Sequence, residues 1–208
     1  MKTRHIIIFI LLLAIASGIY AASLSNQFVY DDRYTVAENT YIKDIKFLPL
    51  LFKTTLMHFQ YGKSGQDMFY RPIQGITYML DYLLWGLDTT GYHITNILWH
   101  SIVAFLVYLL TMLLFQRSVM SMLAAVLFII HPIHTEAVMY ISGRADSLVS
   151  AFILIYLIYF LKDIGRARKT TVFSGEFLFA QCALFAAFLS KEIALISLPL
   201  LLLVFYVY

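Results

Sequence analysis

The sequence predicts an all-α fold: a polytopic membrane helix bundle with amphipathic helices in a long first outer loop. Three observations point there. The 208 residues are 61% hydrophobic and only 13% charged, against about half and about a quarter in soluble domains. The apolar residues are gathered into runs of bilayer-crossing length. The Lys and Arg residues between those runs are sorted onto one side.

The first run, 6–24, follows "MKTRH". Its core has the length of a span rather than of a signal-peptide apolar region, and "SLSN" is a weak cleavage signal. An uncleaved signal anchor is therefore expected. The outer loop, 25–93, holds two stretches with helical spacing of apolar residues, "DIKFLPLLFKTTLMHF" and "RPIQGITYMLDYLLWGL". Both read as amphipathic helices on the membrane surface. Pro72 suits a helix start, and Gly62, Gly65, Gly86 and Gly91 punctuate the turns.

Further spans are expected near 94–115, 119–138, 147–161, 172–189 and 193–208. The third apolar run, 119–130, is too short to cross. It must continue into "HPIHTEAV", where Pro132 breaks or kinks the helix. Irregular polar backbone at that depth is tolerated only where it is buried or lines a cavity. The sequence closes on "LPLLLLVFYVY", still apolar, so more spans are expected beyond it.

Simple alternation with a cytoplasmic N-terminus puts "MKTRH", "QRS" and "KDIGRARKTT" on one side. These segments hold Lys2, Arg4, Arg117, Lys162, Arg166, Arg168 and Lys169, with Asp163 as their one acid. That is the positive-inside pattern. The net charge of +3 forms no basic patch for nucleic acid. The lone cysteine, Cys182, gives neither a disulfide framework nor a cysteine metal site.

The remaining polar chemistry converges on the outer side. "VYDDRY" supplies Asp31 and Asp32, and "FYRPI" supplies Arg71. "YHITNILWH" sets His93, Asn96 and His100 on one helical face. "HPIHTEAVMYISGRADSL" adds His131, His134, Glu136, Arg144 and Asp146, and "SKE" adds Lys191 and Glu192. Each group has a plain reading: solvated acids, hydrogen bonds between helices, or a snorkelling lysine. His131, His134 and Glu136 have ligand-like spacing but lack the HExxH pattern, so a divalent metal is the lesser reading. Taken together, a carboxylate base beside cations able to hold a phosphate suits a lipid-phosphate-linked sugar donor.

The stretches "NQFVYDD", "FYRPIQGITYMLDYLLWGLDTTGYHITNILWH", "HPIHTEAVMYISGRADSL" and "SKEIALISLPLLLL" resemble the membrane half of the transmembrane and tetratricopeptide-repeat protein O-mannosyltransferases and their bacterial relatives. The resemblance implies a class C glycosyltransferase fold, with further spans and tetratricopeptide repeats after the part seen here. It implies a polyprenyl-phosphate sugar donor, dolichyl-phosphate mannose in eukaryotic members, and Ser/Thr hydroxyls of a protein acceptor. Asp31 or Asp32 is then the general base. Arg71, His93, Arg144 and Lys191 are candidates for the donor phosphate. Asn96, His100, His131, His134, Glu136, Asp146 and Glu192 shape the cavity or hold those cations. The active site falls on the extracytoplasmic face: the endoplasmic reticulum lumen in a eukaryote, the periplasm or exterior in a prokaryote. Two rivals stand beside this reading: sugar transfer to a lipid or polysaccharide on the same fold, and a transporter or non-catalytic scaffold.

Overall fold

The computed structural model describes residues 2–57, 69–166 and 174–207. Gly62, Gly65, Arg168, Lys169 and the first two residues of the expected 172–189 span lie outside the described residues. Among the described residues every regular element is helical, so the all-α membrane bundle is what the chain forms.

Helix α1, Lys2–Tyr20, runs on as a tight turn at Ala21–Ser25. The outer loop follows and packs on the ends of the bundle helices. Helix α2, Pro72–Trp85, starts on its proline and stops at Gly86, whose φ of +60° suits a residue without a Cβ. The other amphipathic segment is not one helix. It breaks into a turn at Ile45–Phe47, opened by the Asp44 side chain accepting from the Lys46 amide, and a single helical turn at Leu48–Leu51. Pro49 cannot serve the interior of a longer helix, and the Thr54 hydroxyl bonds back to the Leu50 carbonyl at 2.9 Å.

Helix α3, Thr89–Phe115, is capped by the Asp88 side chain and ends at Gln116 in the left-handed region. Helix α4, Ser118–Ile130, is followed by a turn at Pro132–His134 and helix α5, Thr135–Met139. The chain bends by 52° at this break. His131, extended as a residue before proline must be, accepts a hydrogen bond from the Ile133 amide on Nδ1 at 3.2 Å. Helix α6, Arg144–Arg166, helix α7, Gly175–Phe188, and helix α8, Ser197–Val207, complete the described chain.

Among the described residues, three helical stretches are long and apolar enough to cross a membrane: Thr3–Ser25, Thr89–Phe115 and Ile141–Gly165. The bent pair Ser118–Ile130 and Pro132–Met139 makes a fourth if it counts as one span. The segments expected as the last two spans are shorter helices, Gly175–Phe188 and Glu192–Leu203.

Helix α3 is the centre of the bundle. Leu12 and Ala16 of α1 meet its Ala104 and Tyr108, together with Ala125 and Ile129 of α4. On another side its Val103 and Leu106 meet Ala151 and Ile158 of α6. Ala180, Ala183 and Ala187 of α7 then bury against Val149 and Tyr156 of α6. Small residues at these crossings let backbones approach, which is how membrane helices associate. The outer loop has a separate core of Val36, Ile42, Leu51, Leu56, Tyr78, Tyr92 and Ile141.

Contacts between α1 and α4, which run parallel, sort the helix ends. At one end Arg4 donates to the Ser118 hydroxyl, pinning the start of α1 to the start of α4. At the other, the Tyr20 hydroxyl reaches the Ile129 carbonyl at 3.2 Å. The "YDD", "SGRAD" and "SKE" stretches all lie at this second end.

Candidate functional site

The two adjacent acids part company at a turn. Tyr30 adopts φ +46°, costly for an aromatic residue, and the residue is 86% exposed. The Asp32 amide donates to the Val29 carbonyl at 3.0 Å, closing the turn. Asp32 points inward and is 1% exposed. Its Oδ1 accepts from the Ser142 amide at 2.8 Å and hydroxyl at 2.7 Å, and its Oδ2 from the Val29 amide at 3.1 Å. Burial pushes its carboxyl above the usual range, against the pull of those donors.

Asp31 points the other way, exposed. Its backbone is held by the Tyr140 hydroxyl, which accepts from its amide at 3.1 Å, and by Thr35, whose hydroxyl donates to its carbonyl at 2.9 Å. Its carboxylate accepts no hydrogen bond among the described residues. Asp31, Arg71, Glu136, Tyr140, Asp146 and Lys191 line a cavity of about 110 Å³. Burial and the neighbouring acids push the Tyr140 phenol up to about 12, so it stays a protonated donor.

Both cavity cations are held by acids. The Arg71 guanidinium forks onto Glu192, Nε to Oε2 at 3.1 Å and Nη2 to Oε1 at 2.5 Å, and stacks 4.4 Å from the Phe69 ring centre. The arginine holds the Glu192 carboxyl below its ordinary range. Lys191 meets Asp146 at 2.6 Å.

Arg144 is not among the cavity's lining residues. It is fully buried behind the cavity, with Nη1 2.6 Å from the Asp81 carboxylate. Its Nε donates to Asn96 at 2.7 Å and its Nη2 to the Tyr92 carbonyl at 3.0 Å. The Tyr78 ring covers its face at 4.8 Å. Its donors are committed inside the protein, so the structure does not bring it together with Arg71 and Lys191. His93 is likewise buried in α3 and does not line the cavity.

The segment 138–142 owes its shape to this interior. Asn96 Nδ2 donates to the Val138, Tyr140 and Ile141 carbonyls at 3.2, 3.0 and 3.4 Å. Tyr78 donates to the Ile141 carbonyl at 3.1 Å, and Gln74 to the Ser142 carbonyl at 3.0 Å. Irregular backbone at membrane depth is stable only when its polar groups are satisfied this way. Gly143 completes the packing: a Cβ there would sit 2.4 Å from the Glu136 carbonyl oxygen.

The histidines stand apart from the cavity. His100 is buried between Tyr20 at 5.4 Å and Phe128 at 5.0 Å. His134 packs 4.2 Å from the Phe128 ring, and His131 lies 5.9 Å from His134. Glu136 faces the cavity instead of joining them. Among the described residues no group of three or more His, Cys, Asp or Glu is placed to hold a metal ion.

Gln74, Tyr78, Asp81, Tyr140 and Ser142 were missed as site-building residues. Gln74, Tyr78 and Asp81 carried a signal: spacings of four and three put them on one face of α2.

Fold and site together define a polytopic helical membrane protein with a charged cavity where the ends of several helices meet the first outer loop. No family-wide sequence model matches the chain, and no solved structure matches it. The chain is 36% identical over 158 residues to protein O-mannosyl-transferase tmtc2 of Xenopus laevis, covering 73% of this chain and 18% of that protein. It is 34% identical over 155 residues to protein O-mannosyl-transferase TMTC3 of Mus musculus, covering 74% and 17%. It is 31% identical over 188 residues to protein O-mannosyl-transferase Tmtc1 of Drosophila melanogaster, covering 90% and 21%. The chain belongs to this family, the TMTC protein O-mannosyl-transferases, and spans about a fifth of the length of the curated relatives it matches.

Proposed function

We propose that the protein is a membrane glycosyltransferase of class C type. It moves a sugar, mannose by the relatives' names, from a polyprenyl-phosphate donor to Ser/Thr hydroxyls of proteins. One observation carries this reading: Asp31 offers an unengaged carboxylate to a cavity whose walls also hold Arg71 and Lys191. Asp31 accepts the proton of the acceptor hydroxyl while its oxygen bonds the anomeric carbon. The bond from that carbon to the phosphate oxygen breaks, and the electron pair leaves on the phosphate. Arg71 and Lys191 stabilise the charge that grows there. One in-line displacement inverts the anomeric centre. Asp32 is unsuited to the base role because its oxygens already accept three hydrogen bonds.

The cavity is small beside the roughly 300 to 1,000 Å³ of a ligand-sized pocket, so it suits the phosphate and the reacting atoms, with the prenyl chain outside in lipid. The extracytoplasmic placement rests on charge: Arg4, Arg117 and Lys162 lie at the opposite end of the bundle from the cavity.

The test is transfer of radiolabelled mannose from polyprenyl-phosphate mannose to acceptor protein in membranes. Asp31→Asn should lower turnover by about a hundredfold or more with an unchanged melting temperature. Full activity in Asp31→Asn would overturn the base assignment.

A further inference from the structure

We propose that the Glu192 carboxylate is a built-in competitor for the donor phosphate, released from Arg71 when the donor binds, with Asp146 playing the same part on Lys191. The inference rests on the donor-phosphate reading above and goes beyond it by assigning these acids the place of the ligand's charge.

The two pairs share an asymmetry. The Arg71 side chain is 11% exposed and that of Glu192 is 60% exposed. The Lys191 side chain is 21% exposed and that of Asp146 is 44% exposed. In each pair the cation is the placed member and the acid the loose one. Arg71 is further fixed by stacking on Phe69, and the amide of Ile73, two residues on, donates to the Leu189 carbonyl at 3.2 Å. Its guanidinium is presented without help from Glu192.

The fork on Glu192 is also the geometry that a guanidinium offers to phosphate. Two parallel N–H donors match two oxygens of either anion. Glu192 sits outside the cavity lining while Arg71 is part of it, so the arginine is drawn toward the rim.

The exchange lowers the negative charge that a phosphate would meet. Besides the two cations, the cavity carries Asp31, Glu136 and Asp146. Among the described residues, neither Asp31 nor Glu136 has a cationic partner. With both cations already neutralised, a phosphate would meet net negative charge. Once Glu192 swings into solvent and Asp146 releases Lys191, both cations are free to pair with the phosphate, although Asp31, Glu136 and Asp146 stay in the lining. A group that brings no phosphate cannot drive the exchange, so the acids discriminate against neutral lipids.

The experiment measures binding of sugar-free polyprenyl phosphate to the purified protein in nanodiscs, with the phosphate-free polyprenol as control. Glu192→Gln keeps shape and removes charge at an exposed position. It should tighten polyprenyl-phosphate binding by about two- to fivefold, the scale of an exposed ion pair, and leave polyprenol unchanged. Asp146→Asn should act in the same direction. In the transfer assay the donor KM should fall with kcat retained, a split that a merely structural role would not produce. Arg71→Gln should weaken binding about tenfold or more, as loss of a charge-assisted phosphate contact does. If Glu192→Gln weakens binding or leaves it unchanged while Arg71→Gln weakens it, Glu192 is a clamp, the exchange is wrong and the phosphate site stands. If Arg71→Gln has no effect either, the phosphate reading fails with it.

Discussion

Two arginines lie near this cavity, and their surroundings could hardly differ more. Arg144 is buried, faces Asp81, and gives its remaining donors to Asn96, Thr77 and the Tyr92 carbonyl. Arg71 stands at the rim with one loosely held carboxylate partner. The first charge has been taken out of water and satisfied internally, so it shapes the protein and has nothing left for a ligand. The second keeps its charge within reach of solvent and can change partners. Position next to a cavity does not make a residue part of its chemistry; what decides is whether its polar atoms are already engaged.

The sharpest break of this contrast is removal of each arginine in turn. Arg144→Met should destabilise the protein by about 3–5 kcal/mol, because it leaves Asp81 buried without a partner. Arg71→Gln should cost less, about 1 kcal/mol, because its partner Glu192 is 60% exposed and is solvated when released. Thermal unfolding in detergent checks both. The double change Arg144→Met with Asp81→Leu should recover part of the loss, since an apolar pair can replace a buried ion pair. Equal losses at Arg71 and Arg144 would sink the distinction.

Gly143→Ala tests the wall shared by the two regions. The added methyl would meet the Glu136 carbonyl, so the 138–142 segment must shift, at about 1–3 kcal/mol for an overpacked site. The loss should appear in the melting temperature and in transfer activity together, because Glu136 and Tyr140 move with that segment.

The smallest effect is a pair of opposed pH dependences. Burial raises the folded-state pKa of Asp32. Its contribution to stability is therefore full below the unfolded carboxylate value and is lost as pH rises through the folded value. Glu192 is lowered by Arg71. Its contribution is present above the unfolded value and is lost as pH falls through the folded one. From pH 7 down to about 4, the wild type should gain stability relative to Asp32→Asn. Relative to Glu192→Gln it should hold level there and lose ground only below that range, weakly because the pair is exposed. Melting curves at three pH values would show whether the signs are as stated.

Much of this arrangement was legible in the sequence, because run length and the Lys/Arg bias are bulk properties that a membrane enforces. They sufficed to bring "YDD", "SGRAD" and "SKE" to one end of the bundle. The choice between Asp31 and Asp32 was not legible. Adjacent acids have the same neighbours in sequence, and only the left-handed turn at Tyr30 sends one inward and the other out. The interior place of Arg144 was not legible for another reason. Its partner Asp81 lies 63 positions earlier on a surface helix, and nothing local to "SGRAD" announces a buried pair. The bent span was foreseen from Pro132, whereas the first amphipathic segment broke up because Pro49 sits within it.

The bend at Pro132 sets a depth. Helix α4 has 13 residues and rises about 20 Å, against a hydrocarbon core of about 30 Å. Measured from Arg117 at the opposite edge, the chain leaves α4 some way short of the far surface. The chain continues through the turn and α5, and Glu136, four residues past the proline, forms part of the cavity wall. Under the proposed base role, an acceptor hydroxyl has to reach Asp31 through a cavity of about 110 Å³. A slack, extended stretch of polypeptide can enter such an opening, and the rigid face of a folded domain cannot.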